Sequence, residues 1–388
     1  MQQTISTQSI MGDFAASTGL TDTSRIPRRY LWTDAFAVCN YLELYRQSGE
    51  QTSLQLALKL VDQVHQILGQ HRKDSVRSGW LSGLDEEQAQ QHPTQAGLRI
   101  GKQLNEWQPG EPVGESLQWD QDGQYFHYLT KWMHALNRVS QVTGKSIYNQ
   151  WALELAKVAH AAFTYTPSTG GTKRMVWKTS IDLSRPLVGS MGQHDPLDGL
   201  ITYQQLETTA KQFPETPSEL SLKTEIAEMV SMCADHNWAT EDALGIGGLL
   251  TDSYKLVQLI EIHHLHETAR LEALLRDVEY SLRTFVTHNQ LTLPAEYRLA
   301  FRELGLATGL HAISRMQKRI EQQPEHFTNA NQLLALLTNL SHFNRIHELI
   351  ERFWLEPDHQ SIKNWQEHAD INSVMLATSL APDGYLKL

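Results

Sequence analysis

The sequence predicts an all-α protein built from repeated helical hairpins, and two observations carry that reading. A hairpin pattern occurs twice with matched spacing, first from Trp32 through a Ser48-Gly49-Glu50 turn to Leu68, then from Tyr125 through Thr143-Gly144-Lys145 to Phe163. Counted from each turn glycine, small or apolar residues recur in helical step: Leu54, Ala57, Val61, Val64 and Leu68 against Ala152, Ala156, Ala159 and Phe163. A single hairpin cannot bury such a stripe, so several must stack. The second observation is that the period-two alternation of half-buried strands is almost missing from the 388 residues.

The elements follow in order. The first helix is expected to start at Thr33-Asp34, either of which can cap it. Its apolar stripe, Ala35, Val38, Leu42 and Tyr45, is widened by Trp32, Phe36 and Cys39, which suggests a helix buried on most sides. The partner helix, about Ser53 to Leu68, has a narrower stripe. One helix inside and one outside is the simplest arrangement. A long irregular stretch, 71–123, comes next; loops of this length are uncommon and often functional. After the second hairpin and another loop, Thr166 to Pro196, a weaker third hairpin covers Leu197 to Ala210 and Glu219 to Cys233. A fourth spans Leu244 to Ile262 and Glu267 to Phe285. A fifth begins near Ala295 and returns through Leu333 to Phe353, and a last helix carries Ile371, Val374, Met375 and Leu380. No linker rich in Gly, Ser or Pro divides the chain, so residues 1–388 are expected to form one domain.

Composition excludes several classes. Hydrophobic residues at 40% and charged residues at 20% suit a soluble globular protein. A formal charge of −11 argues against nucleic acid or an anionic membrane as partner, since both need clustered Lys and Arg. Nothing approaches the roughly 20 apolar residues of a membrane span. The N-terminus has no basic segment followed by an apolar run, so a cytoplasmic location is expected. Cys39 and Cys233 lie in apolar helical stretches and read as buried thiols.

Stacked hairpins close either as an open solenoid, with uniform repeats and polar caps, or as a ring. Here the repeats diverge and their loops are very unequal. On the hairpins beginning Trp32-Thr33-Asp34-Ala35-Phe36 and Tyr125-Phe126-His127-Tyr128-Leu129, the chain from about Tyr30 to Leu380 resembles the (α/α)6 toroid of the six-hairpin glycosidase-like superfamily, and looks like an uncharacterised bacterial family within it. That resemblance implies inner and outer helices alternating around a central funnel, with long loops on one face. The loop 71–123, which carries Trp80 and Trp119, is expected to fold over the funnel mouth, because ordering an aromatic-bearing loop of that length would otherwise go uncompensated. The resemblance is one of architecture; no catalytic motif of a named glycosidase family aligns.

Candidate chemistry clusters where the first helix of each hairpin opens. The densest stretch, Gly189 to Gly199, holds His194, Asp195 and Asp198, with Pro196 between the acids. Helix capping is the bland account of either aspartate; a desolvated acid with a raised pKa is the functional one. Asp120 and Asp122 precede Gly123 and resemble the start of a calcium loop, but Lys131 stands where the bidentate Glu belongs. A solvated turn is the alternative to a pocket beside Trp119, Tyr125 and His127. Trp80, Trp119, Tyr125 and Trp177 present flat faces with a polar edge, suited to sugar rings and equally suited to a core. Arg185 suits a substrate carboxylate or phosphate, or a solvated loop. Tyr297 and Arg298 open the fifth hairpin, and Glu296, Arg298, Arg302 and Glu303 are spaced for an ion-pair lattice.

His263, His264 and His266 are too close for an i, i+4 pair, and HExxH and CxxC are absent, so no metal or other cofactor is expected. Gly245-Ile246-Gly247-Gly248 follows no strand and is a weak dinucleotide signal. The leading expectation is a carbohydrate-active enzyme, a glycoside hydrolase using a carboxylate pair: Asp195 or Asp198 with Asp122 or Asp34. His127 and His194 would orient groups or move protons, and the aromatics would stack on a sugar-like small molecule. A sugar epimerase or isomerase working through histidines on the same fold is the near alternative. A non-catalytic sugar- or partner-binding scaffold is the distant one. Oligomeric state is open at this stage.

Overall fold

The computed structural model describes residues 6–107, 120–190, 192–234 and 236–388. The chain divides into two compact units, residues 15–234 and residues 235–388 with the segment up to Phe14. Almost all regular structure is helical, beginning with a helix at Thr7–Ser17.

Residues 15–234 contain three hairpins: Leu31–Ser48 with Gln51–Leu68, Phe126–Thr143 with Ser146–Phe163, and Asp195–Ala210 with Lys223–Met232. The first helix of each is buried nearly all round, without a break from Leu31 to Glu43 in the first hairpin. The return helix Gln51–Leu68 buries one stripe, Ser53, Ala57, Leu60, Val61, Val64, His65 and Leu68. The first helices bury polar as well as apolar side chains, Asn40 and Glu43 in the first, His134 and Asn137 in the second, Thr202 and Gln205 in the third, so their burial goes beyond what apolar patterning predicts. The three first helices pack side by side, and each return helix covers its own partner.

Gly49 and Gly144 end the first helices in the left-handed conformation, at φ 73° and 69°, which glycine adopts without a Cβ penalty. Each of these helices has 18 residues. At 1.5 Å per residue that sets the turn about 27 Å from the opening. Within this unit Tyr30, Tyr125 and Asp195 therefore share one end, and the turn glycines share the other.

The start of the first helix differs from expectation. Tyr30 is its N-terminal boundary residue, with no side-chain cap, and Thr33 and Asp34 lie inside the first turn. Asp34 instead reaches back, accepting the Tyr30 amide at 2.9 Å and pairing with Arg29 at 3.2 Å.

Residues 235–388 hold Ala243–His263 with Thr268–Thr287, then Ala300–Gln322, and finally Ala369–Leu380 with the short Asp383–Leu386. The return path of the fifth hairpin is broken into Ala330–Ser341 and Arg345–Leu355. The glycines near Ile246 have a packing role. A Cβ at Gly247 would lie 2.2 Å from the Gly305 carbonyl oxygen, and one at Gly309 would lie 2.5 Å from that of Gly247. Helices Ala243–His263 and Ala300–Gln322 thus meet backbone to backbone.

Among the described residues of 15–234 there are two small sheets. Gln124–Tyr125 pairs antiparallel with Lys178–Thr179, which pairs in turn with Pro186–Val188. Thr164–Tyr165 pairs with Arg174–Met175. The described part of the long loop is a brace before it is anything else. Thr94 donates to the Trp151 carbonyl, the Trp151 indole donates to the Gln91 carbonyl, and His92 pairs with Glu154 at 2.6 Å. Arg99 then donates to the carbonyls of Ile67 and Gln70, which close the first return helix. Both cysteines are buried. Among the described residues no helix is long and apolar enough to cross a membrane.

Candidate active site

The opening end of residues 15–234 gathers side chains from four segments. Tyr30 precedes the first hairpin; Tyr125, His127, Tyr128, Thr130 and Lys131 open the second; Trp177 comes from the following loop; Asp195 and Asp198 open the third. The small sheet carries Trp177 to this place. Tyr125 pairs with Lys178, the Phe126 amide donates to the Trp177 carbonyl, and the Trp177 amide donates to Ser190. Tyr125 and Trp177 consequently stack with ring centroids 5.4 Å apart, and His127 stacks on Tyr125 at 5.6 Å. Tyr128 meets both His127 and Tyr125 edge-on, and its hydroxyl is 2.7 Å from that of Tyr30. Tyr30, His127, Tyr128 and Trp177 are all half-buried, so this aromatic wall keeps faces or edges open.

The two aspartates sit in the first turn of their helix and neither acts as its cap, because the boundary residue is His194. Asp198 accepts hydrogen bonds from the Thr130 hydroxyl and from Lys131 Nζ at 2.8 Å. Asp195, 5% exposed, is different. Its Oδ2 has no hydrogen-bond partner among the described residues, and its Oδ1 is 3.9 Å from His127 Nδ1. Burial first, and the Asp198 carboxylate second, push the Asp195 carboxyl up to about 7, against the pull of Lys131 and the Gly192 backbone. Near neutral pH it therefore holds or loses a proton readily. Burial, helped by Lys131, holds the His127 imidazole well below its ordinary value, with Asp198 opposing. The Trp177 indole donates to its Nδ1 at 3.3 Å, so the neutral ring carries its proton on Nε2.

Other expected site residues are placed elsewhere. Asp122 is fully buried and holds Arg99 at 2.9 Å, Arg72 at 3.3 Å and the Gly101 amide at 3.0 Å. It is neither a solvated turn nor a calcium ligand, because two arginines and backbone amides occupy its oxygens. Asp34 is engaged with Arg29 in the same way. This leaves Asp198, not Asp122 or Asp34, as the acid beside Asp195. Trp80 is buried at the foot of the first return helix, where its indole donates to Glu86 at 2.8 Å. Trp119 lies outside the described residues. His194 is half-buried, and its carbonyl accepts the Asp198 amide.

Arg185 donates to the Trp107 carbonyl at 2.5 Å and lies over that indole, 5.7 Å from its centroid. It lines a separate cleft of about 480 Å³ with His71, Arg77, Glu106 and Asp182. Tyr297 and Arg298 belong to residues 235–388. Tyr297 is 76% exposed, whereas Arg298 is buried against Glu303 at 2.6 Å and stacks on Phe353 at 3.6 Å.

Sequence reasoning missed Tyr30, Tyr128, Thr130 and Lys131 as site residues. A signal existed: Thr130 and Lys131 fall three and four residues after His127, on the same helix face. Lys178 adjoins the same rings. It is buried, donates to the Gln121 carbonyl at 2.7 Å and lies over the Tyr125 ring at 5.0 Å; burial pushes its amine down to about 8.

The likeness to solved structures is architectural. The structure superposes on the GH76 alpha-mannanase of Bacteroides thetaiotaomicron with a TM-score of 0.54 at 8% identity, covering 98% of this chain and 96% of that one. Cellobiose 2-epimerases from Spirochaeta thermophila and Bacillus thermoamylovorans superpose with TM-scores of 0.47 and 0.44, at 12% and 11% identity; each match covers 87% of this chain, and 84% and 87% of those chains respectively. No protein-family model and no curated protein matches the sequence. The chain thus shares the all-α (α/α)6 fold of that mannanase.

Proposed function

We propose that the protein is a carbohydrate-active enzyme, and that Asp195 is its general acid. One observation carries the reading: a buried carboxyl, raised to about 7 and with Oδ2 unpartnered, stands beside a half-open wall of Tyr, Trp and His rings. A raised carboxyl near neutrality donates a proton to a leaving oxygen efficiently, and aromatic faces suit the apolar faces of sugars. The shared fold with an alpha-mannanase agrees with this chemistry.

In the hydrolase reading Asp195 protonates the glycosidic oxygen. Asp198, anchored by Lys131 and Thr130, keeps that proton on Asp195 by like-charge repulsion and supplies the negative charge that an oxocarbenium-like transition state attracts. The stacked rings of Tyr125 and Trp177 hold the ring plane, and His127 offers Nε2–H as a donor. A second reading, sugar epimerisation, draws on the neutral state of His127: an imidazole that resists protonation is a candidate base once Trp177 releases its Nδ1.

Proton NMR on the full chain with panels of α- and β-linked oligosaccharides and free disaccharides separates these readings. New reducing ends mean hydrolysis; a changed ring configuration without cleavage means epimerisation. Asp195→Asn is expected to lower the rate by about 10²–10⁴, the usual contribution of a general acid. In the parent, activity that needs protonated Asp195 falls as pH rises through about 7. An Asn variant with full activity, or no turnover and no binding of any sugar, overturns the proposal.

A further inference from the structure

We propose that His311, His347 and Glu351 form a binding site for one divalent transition metal of zinc-like preference. The bound ion would fasten the return helix Arg345–Leu355 to helix Ala300–Gln322. His347 and Glu351 are four apart on the return helix and so share a face. His311 approaches from the middle of Ala300–Gln322.

Each residue offers a ligand atom, and all three atoms lie within 4.8 Å of one another. His311 Nε2 is 2.8 Å from Glu351 Oε1, His347 Nδ1 is 3.5 Å from Oε2, and the two imidazole centroids are 3.9 Å apart. Tetrahedral zinc, with bonds of about 2.0–2.2 Å, holds its ligands about 3.3 Å apart. Small rotamer adjustments bring the three atoms to that spacing. All three residues are half-buried, which leaves a fourth position for water.

The donor chemistry selects the class of ion. Two imidazoles and one carboxylate suit zinc and its neighbours, whereas calcium and magnesium need oxygen-rich sets. The surroundings support a liganding carboxylate. The Ser379 hydroxyl donates to Glu351 Oε1 from helix Ala369–Leu380, an outer contact that orients a ligating oxygen. The adjacent cation, Arg315, is occupied by Asp383 at 2.8 Å and by the His311 carbonyl at 2.6 Å. Because His311 sits mid-helix, well away from the residues that open this hairpin, the ion's role is structural.

The test uses the full chain, stripped with a chelator and titrated with Zn²⁺ by calorimetry, with Co²⁺ as a spectroscopic stand-in. One equivalent is expected to bind, the melting temperature to rise by a few degrees at saturation, and Co²⁺ to give the visible bands of a four-coordinate nitrogen–oxygen site. His347→Gln and Glu351→Gln should each abolish the equivalent while circular dichroism stays unchanged. His264→Gln, in the separate His264–His326 pair, should leave it intact. Should the two site variants unfold, ¹⁵N shifts of the parent's His311 and His347 rings on Zn²⁺ addition decide the matter. No stoichiometric binding, binding unaltered in both folded site variants, loss in His264→Gln, or unmoved imidazole shifts overturns the proposal.

Discussion

The helix seams of the two units are built on opposite principles. Between Phe126–Thr143 and Asp195–Ala210 the contact is polar: His134 pairs with Gln205 at 3.0 Å, Asn137 donates to Thr209 at 2.9 Å and also to Asn149 of the return helix Ser146–Phe163 at 2.8 Å, and Gln205 returns to Asn137 at 2.6 Å. Between Ala243–His263 and Ala300–Gln322 there is bare backbone at Gly247, Gly305 and Gly309, and the polar contacts of Arg319 with Glu261 and Tyr254 lie toward the other end of the two helices. A glycine seam specifies only closeness. A hydrogen-bonded seam specifies angle and register, because each buried polar group must find its partner. The second kind holds an opening end in fixed geometry, and there the chain places a buried acid with Oδ2 unpaired. Glu154 and Glu225 also have one orphaned oxygen, but their other oxygens hold His92 and Lys157. Asp195 has no cation in hydrogen-bond contact among the described residues; Lys131, paired with Asp198, acts on it only through space.

The sharpest way to break this comparison is Asp195→Asn. Besides the loss of rate, the variant should gain stability relative to the parent as pH rises. The folded state raises this pKa, so its stabilising effect exists at low pH and is lost between about 4 and 7. Above pH 7 the parent bears a desolvated charge that Asn does not, a difference of a few kcal/mol at most. Thermal melts of both proteins at pH 5 and pH 8 check it; equal shifts at the two pH values would count against a raised acid.

Gly247→Val tests the other seam. A branched side chain directed at a carbonyl oxygen 2.2 Å away forces two helices apart, which should cost about 3 kcal/mol in urea unfolding. An unchanged midpoint would mean the glycines are incidental. Asn137→Leu should cost about 2 kcal/mol by stranding Asn149, Thr209 and Gln205, and would show that the polar seam stabilises as well as orients. The smallest effect expected is in Lys131→Met. Lys131 holds the Asp195 carboxyl down, so its removal should move the alkaline limb of activity upward. A downward shift would separate Asp195 from that limb.

How much of this was legible varies by element. The hairpins were readable because period 3.6 and turn glycines are local signals. The break between Ala330–Ser341 and Arg345–Leu355 was not: Ser341-His342-Phe343-Asn344 contains neither Gly nor Pro. The meeting of Asp195, Asp198, His127 and Trp177 followed from hairpin polarity, since hairpin openings and the loops joining them share one end. Asp122 resisted sequence reading because its partners, Arg72 and Arg99, lie 50 and 23 residues upstream. Lys131 was visible only as the wrong residue for a calcium loop. Its real partner, Asp198, is 67 residues away.

The three-stranded sheet has a consequence for how the protein can diversify. It clamps the loop after the second hairpin at Lys178–Thr179 and Pro186–Val188, leaving 180–185 as a spur between two fixed points. Trp177 stands just before the clamp, while Ile181, Asp182, Ser184 and Arg185 on the spur line the separate cleft. Insertions or exchanges in the spur would remodel that neighbouring surface and leave the indole against Tyr125 untouched. Selection can therefore vary what docks beside the site without disturbing the site itself.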